Sequence, residues 1–182
     1  MSQDLVGTGV RAGTWNLDAS HSTVAFTARH LMSKVRGTFG EVEGTFVTTE
    51  DPTESQISVT IQAASITTGN AQRDGHLRSS DFFDPDNGGV LTFTSTKIVP
   101  SGDGYTVTGD LTINGITKSV DLAAEFLGTD TDAYGRTVLG ADATTTINRH
   151  DFKVDWNMPL DGGRFLVGPK IEISISIEAV LA

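Results

Sequence analysis

The sequence predicts an all-β domain: an eight-stranded antiparallel β-barrel with a short helix between its third and fourth strands. Three observations carry this expectation. Thr, Val, Ile and Phe dominate segments in which apolar and polar residues alternate with period two. Turn signals recur between those segments, and helix periodicity is nearly absent. Several strands exceed ten residues and have one apolar face. Such strands must pack on a second sheet or close on themselves, and closure leaves no exposed edge.

The expected strands cover residues 14–30, 35–49, 55–67, 89–99, 104–114, 117–128, 136–148 and 164–181. In the first, Val24, Phe26 and Ala28 share a parity that ends at His30, which makes this the inner row. His21 shares parity with Thr23, Thr27 and Arg29 and is assigned to a turn after "LDAS". The third strand offers Ile57, Val59, Ile61 and Ala63. Next comes "TGNAQRDGHLRSSDFFDP", residues 68–85, which breaks the alternation. Asn70 is a suitable helix cap, Gly75 weakens the helix by about 1 kcal/mol, and Pro85 ends it. A helix here would lie across one end of the barrel. Tyr105, Val107, Leu111 and Ile113 form the next row, and Asn114-Gly115 supplies a tight turn. Val120, Leu122, Ala124 and Phe126 follow. In the last strand Ile171, Ile173, Ile175 and Ile177 oppose Glu172, Ser174, Ser176 and Glu178.

The chain has 182 residues, no cysteine and a formal net charge of -10. Thiol chemistry is excluded, and so acidic a chain suits neither nucleic acid nor an anionic membrane. No apolar run is long enough to span a bilayer, so stable membrane insertion is not expected. "MSQDLVGTGVRAG" lacks the basic and apolar regions of a secretory signal, and the expected location is the cytoplasm. Residues 1–13 read as a flexible segment and 14–182 as one barrel domain.

No enzymatic motif survives inspection. Nine residues of strand separate His21 from His30 by roughly 30 Å and place them on opposite faces, so they share no metal. His76 follows Arg73 by three residues on the helix, and His150 lies between Arg149 and Asp151, read as solvated charges. There is no HExxH, nucleophile elbow or P-loop, and no carboxylate falls at metal-like spacing with a histidine. "DTDAYG" starts like a calcium loop but reaches Ala141 where a glutamate is needed. Neither a metal nor a cofactor is expected. The residues alone lead to a barrel able to carry an apolar ligand.

The stretch "GTWNLDASHSTVAFTARHLMSKVRGTFGEVEGTF" resembles the YceI-like family of lipocalin-like, polyisoprenoid-binding proteins in Trp15, Asp18, His21-Ser22, Val24, Phe26, His30 and Gly37-x-Phe39. "NAQRDGHLRSSDFFD", "GDLTINGITKSVDL", "INRHDFKVDWN" and "VGPKIEISISIEAV" resemble further family blocks, in family order. Two positions depart from it: Lys153 stands where the family has Gly, and Pro169 where it has Asp. The resemblance implies a lipocalin-like barrel with a long cavity for an isoprenoid lipid of polyprenyl phosphate or quinone type, no catalysis, and a homodimer in many members. The tail would lie along Val24, Phe26 and Ala28. His30, Arg73 and His76 would meet the head, with Arg29, Lys34 and Arg36 near in sequence, and Leu77 is a further ligand-binding residue. Two alternatives are an enzyme with His30 or His76 as base, and a partner-binding module with a packed barrel.

Overall fold

The structure, a computed structural model, describes residues 11–83 and 89–182. The strands are β1 (Gly13–Leu17), β2 (Thr23–His30), β3 (Ser33–Phe39), β4 (Val42–Thr48), β5 (Gln56–Gln62), β6 (Ile66–Thr67), β7 (Val90–Ser101), β8 (Gly104–Ile113), β9 (Ile116–Thr131), β10 (Thr137–Asn148), β11 (Pro159–Leu160), β12 (Arg164–Phe165) and β13 (Val167–Leu181). One α-helix, α1 (Ala71–Leu77), separates β6 from β7. Most of the expected flexible segment, residues 1–10, lies outside the described residues, and β1 already begins at Gly13.

Three of the expected strands are bent rather than continuous. Residues 14–30 divide into β1 and β2 because the Asp18 carboxylate accepts from the Ser20 amide at 3.0 Å and draws the chain into a single 3-10 turn. Residues 35–49 divide at Gly40 and Glu41 into β3 and β4. Residues 55–67 divide at a turn over Ala63–Ser65, where the Ser65 hydroxyl donates to the Gln62 carbonyl at 2.6 Å. The halves keep their neighbours: β1 pairs with β4, β2 with β3, β4 with β5 and β3 with β6. Counting each bent pair once gives eight strands in meander order. β13 closes the ring, pairing with β10 on one edge and with β2 and β1 on the other. The last expected strand, 164–181, begins late: Arg164 and Phe165 instead form a small hairpin with β11.

The turns match their sequence signals. Asn114 and Gly115 both adopt positive φ, 54° and 75°, as a two-residue hairpin requires. Gly37 has a different task. A Cβ there would collide with the Phe26 ring, so its absence lets that ring pack against β3.

The barrel has two unlike ends. The closed end carries the turns at 49–55, 102–103 and 132–136, and there Trp15, Phe46, Leu139 and Ala179 pack into a dry plug, with Trp15 wholly buried. The Trp15 indole N–H donates to the Thr48 hydroxyl at 2.9 Å, so the plug leaves no polar atom unpaired there. The open end carries the Leu31–Met32 turn, α1, the Asn114–Gly115 turn and residues 149–166.

Candidate ligand cavity

A cavity of about 720 Å³ runs through the barrel. This falls within the roughly 300–1,000 Å³ usual for small-molecule sites. Period-two alternation builds its wall, since every second residue of a barrel strand faces inward. Ile171, Ile173, Ile175 and Ile177 of β13 line it, as do Val120, Leu122 and Ala124 of β9 and Ile57, Val59 and Ile61 of β5. Leu17 and Phe46 form the floor above the plug. The barrel is therefore not fully packed with its own side chains.

All seven residues assigned to a ligand from the sequence border this cavity: Val24, Phe26, Ala28, His30, Arg73, His76 and Leu77. Val24, Phe26 and Ala28 stand on the wall; the other four are at the open end. Arg29 reaches the rim, where its guanidinium donates to the Met32 carbonyl at 3.3 Å. Lys34 and Arg36 do not reach the cavity. They alternate with Val35 and Gly37 and so stand on the outer face of β3, exposed to solvent.

The helix at the open end is tied down by its own polar residues. The Asn70 side chain accepts from the Arg73 amide at 2.9 Å, the expected cap. Asp74 is buried and accepts from the Thr68 amide at 2.9 Å and from the Thr68 hydroxyl. These bonds hold its carboxyl below the usual carboxylate range. Arg73 donates to the Thr68 hydroxyl at 2.6 Å and the Thr68 carbonyl at 3.0 Å, which fixes its guanidinium at the mouth. The helix stops at Leu77, with Arg78 as its C-cap, rather than at Pro85. The Arg78 guanidinium donates to the carbonyls of Ala64 and Ile66. Pro85 lies outside the described residues.

His76 occupies an aromatic niche. Its Nε2 is 2.8 Å from Asp81 Oδ2, and its ring meets Phe82 and Trp156 edge-to-face at 5.0 and 4.6 Å. Neither aromatic was singled out in the sequence, and both line the cavity.

Arg149 corrects a second expectation. Instead of being solvated, it is buried, 3% exposed. Its guanidinium donates to the carbonyls of Val154 (2.6 Å), Trp156 (2.9 Å), Val167 (3.2 Å) and Gly168 (2.9 Å). One side chain thereby ties residues 154–156 to the start of β13. Burial pushes its pKa below the ordinary arginine value, opposed by the charge of Asp155.

His21 and His30 do not share a site, although the reason differs from the expected one. They do not stand on one straight strand, because His21 belongs to the 3-10 turn. His21 Nδ1 lies 2.9 Å from Asp18 Oδ2, and Glu178 completes a group whose ligand atoms lie within 4.8 Å of one another. The expectation that no carboxylate gathers with a histidine is thus corrected: a turn brings Asp18 to His21, and β13 brings Glu178. Arg136 already faces Asp18 at 3.6 Å. Hydrogen bonds from Ser20 and then His21 bring the Asp18 carboxyl down to about 2, and the same Asp18 contact raises the His21 pKa.

Residues 15–179 match the YceI-like domain. The chain belongs to the YceI-like family. It is 39% identical over 170 residues to the UPF0312 protein plu2095 of Photorhabdus laumondii, covering 91% of this chain and 84% of that protein. The crystal structure of Campylobacter jejuni YceI superposes with a TM-score of 0.69 at 31% identity, covering 85% and 90% of the two chains. A polyisoprenoid binding domain from Saccharophagus degradans shares the fold, with a TM-score of 0.67 at 15% identity over 94% and 100%. The two departures from the YceI-like pattern have structural readings. Lys153 takes the left-handed conformation, φ 54°, that a glycine there would adopt without strain. Pro169 lies at the irregularity of β13 between Val167 and Ile171, where it has no partner in β2 and its missing N–H costs no ladder bond.

Proposed function

We propose that this YceI-like barrel is a non-catalytic carrier of an amphiphilic isoprenoid lipid, a quinone or polyprenyl phosphate. The observation that carries this reading is the polarity gradient of the cavity. Its wall is apolar from the plug upward except for Asp142 and Thr145 of β10, and most of its polar groups gather at the open end around Thr68, Asn70, Arg73 and His76. The row from Ile171 to Ile177 alone spans about 20 Å, room for an extended tail. Each buried methylene stabilises the complex by about 0.8 kcal/mol, so a prenyl tail binds tightly without specific polar contacts. The head then rests among Arg73, His76 and His30. The Saccharophagus domain, described as polyisoprenoid binding, supports the same ligand class.

Lipid extracted from the purified protein should contain a prenyl compound by mass spectrometry. The delipidated protein should take up decylubiquinone and return it chemically unchanged. Ala143, which faces the cavity from β10, gives the specific control. Ala143→Phe fills the path of the tail and should weaken uptake more than tenfold with the fold intact, on the order of two methylenes' worth of lost burial. No uptake of any prenyl compound by the wild type, or equal uptake by Ala143→Phe, would sink the carrier reading. Turnover of the ligand would move the assignment to the enzymatic alternative.

A further inference from the structure

The open end carries a feature that a closed carrier does not need. Leu31, Met32, Met158 and Phe165 are exposed, Met32 to 91% and Phe165 to 62%. They are remote in sequence but adjacent in space. The Leu31 amide donates to the Leu166 carbonyl at 3.0 Å, and the Leu166 amide donates to the Met158 carbonyl at 3.0 Å. Phe165 pairs with Pro159 in the β11–β12 hairpin. The Leu31–Met32 turn thus stands beside the base of the β11–β12 hairpin, and Leu166 behind them lines the cavity. The apolar rim is continuous with the mouth.

Beside this rim lies a basic surface. Arg29 and Lys34 are directly opposed across β2 and β3, and Arg36 follows on the same outer face. Directly opposed like charges weaken a sheet. Among the described residues, no carboxylate lies within ion-pair distance of Arg29, Lys34 or Arg36. The sequence holds no acidic residue between Asp18 and Glu41. In the sheet register Glu172 is separated from Arg36 by Thr27. A chain of net charge -10 therefore keeps a cationic face next to its exposed apolar rim. At about 0.1 M salt the Debye length is roughly 10 Å, so the acidic turns at the opposite end of the barrel are largely screened from this face, and Asp151, Asp155 and Asp161 at the open end form no ion pair with Arg29, Lys34 or Arg36. Apolar side chains that enter an acyl boundary, flanked by cations at headgroup level, match the chemistry of an anionic bilayer surface.

We propose that the open end docks on anionic membranes through Leu31, Met32, Met158 and Phe165, with Arg29, Lys34 and Arg36 facing the lipid phosphates. The purpose of this contact, passage of a prenyl lipid between bilayer and cavity, rests on the carrier reading; the contact itself does not. It is peripheral and reversible, consistent with the absence of any helix among the described residues long and apolar enough to cross a membrane.

Co-sedimentation with vesicles tests it, using phosphatidylcholine alone and phosphatidylcholine with roughly a third phosphatidylglycerol. The wild type should bind the anionic vesicles, less so as salt rises, and bind neutral vesicles weakly. Arg29→Gln/Lys34→Gln/Arg36→Gln should lose most anionic binding, at roughly fivefold per charge. Met32→Ser/Phe165→Ser should lose binding to both compositions. All five positions are exposed, so neither variant disturbs the core. Decylubiquinone uptake, measured without vesicles, should be unchanged in Met32→Ser/Phe165→Ser and in Lys34→Gln/Arg36→Gln, whose side chains do not line the cavity. Failure of the wild type to bind anionic vesicles, or binding by the variants equal to wild type, overturns docking. Wild-type dimers that Met32→Ser/Phe165→Ser dissolves, with no vesicle binding, would assign the rim to a second copy and also overturn it. Vesicle binding without decylubiquinone uptake keeps docking and removes the carrier reading; uptake without vesicle binding does the reverse.

Discussion

At the closed end of the barrel Trp15 is wholly buried, its indole is hydrogen-bonded, and the turns around it carry Glu50, Asp51, Glu54, Asp103 and Asp132. At the open end apolar side chains stand in solvent, and a buried guanidinium is held by main-chain carbonyls. The three non-glycine residues with positive φ among the described residues, Leu31, Asn114 and Lys153, all lie there too. One end spends its residues on packing and satisfied polar groups. Val47, Leu127 and Tyr134 are exposed there too, but the open end joins its exposed apolar side chains in one rim at the mouth and adds backbone strain, costs that persist in native structures chiefly where a function uses them. The difference between the ends locates the site as firmly as the cavity does.

Arg149 is the element of the open end whose removal should have the largest effect. Its guanidinium satisfies four carbonyls from two segments. Arg149→Met keeps the aliphatic stem but leaves those carbonyls without their donor. The expected loss is about 3 kcal/mol, measured by urea denaturation. If the mouth is built by this residue, decylubiquinone uptake should fall with it. An unchanged denaturation midpoint would mean that residues 149–168 hold together without the cross-link, and the contrast between the ends would lose its main structural support.

The closed end responds to pH through Asp18. The folded-state pKa, about 2, lies below the unfolded value near 3.9. The ionised carboxyl therefore adds stability above about pH 4, and this is lost as pH falls toward 2. His21 works in the opposite sense: its raised pKa adds stability below about pH 6.5 that is lost as pH rises through the folded value. Asp18→Asn should lower the melting temperature by about 2–4 °C near pH 5, a loss on the order of 1 kcal/mol after solvent screening. The gap to wild type should narrow toward pH 2 and again toward alkaline pH. A gap constant across that range would show that the Asp18–His21 contact carries no charge.

How much of this was legible in the sequence depended on whether the signal was local. The inner rows were legible because strand alternation has a fixed period: Ile171, Ile173, Ile175 and Ile177 face the cavity as their parity requires. Asn70 as helix cap and Asn114-Gly115 as a turn were equally local. The turn at His21 was signalled by "LDAS", whose Asp, Ala and Ser disfavour strand, but the alternation on either side carried the expected strand through it and so hid the division into two strands. Arg149 was missed for a different reason. In "NRHDF" an arginine looks solvated; its four acceptors come from residues 154–168, and nothing in the local pattern says that those carbonyls converge. The exposed rim joins Met32 to Phe165, a proximity that only the pairing of β2 with β13 creates.

Lys153 provides the smallest and cleanest test of strain at the open end. It follows the 3-10 turn at Arg149–Phe152 and adopts φ 54° and ψ 29°, a left-handed conformation that costs a residue with a Cβ roughly 1–2 kcal/mol. Its side chain is exposed, so little packing is lost by removing it. Lys153→Gly relieves the strain but adds freedom to the unfolded chain, which takes back about 0.5–1 kcal/mol. The net gain should be about 0.5–1 kcal/mol, seen as a rise of roughly 2–3 °C in melting temperature. Lys153→Ala keeps the Cβ and should gain nothing, which separates backbone strain from loss of the lysine charge. Equal melting temperatures for Lys153→Gly and wild type would show that the turn at the mouth is unstrained, and that the open end differs from the closed end in polarity and exposure alone.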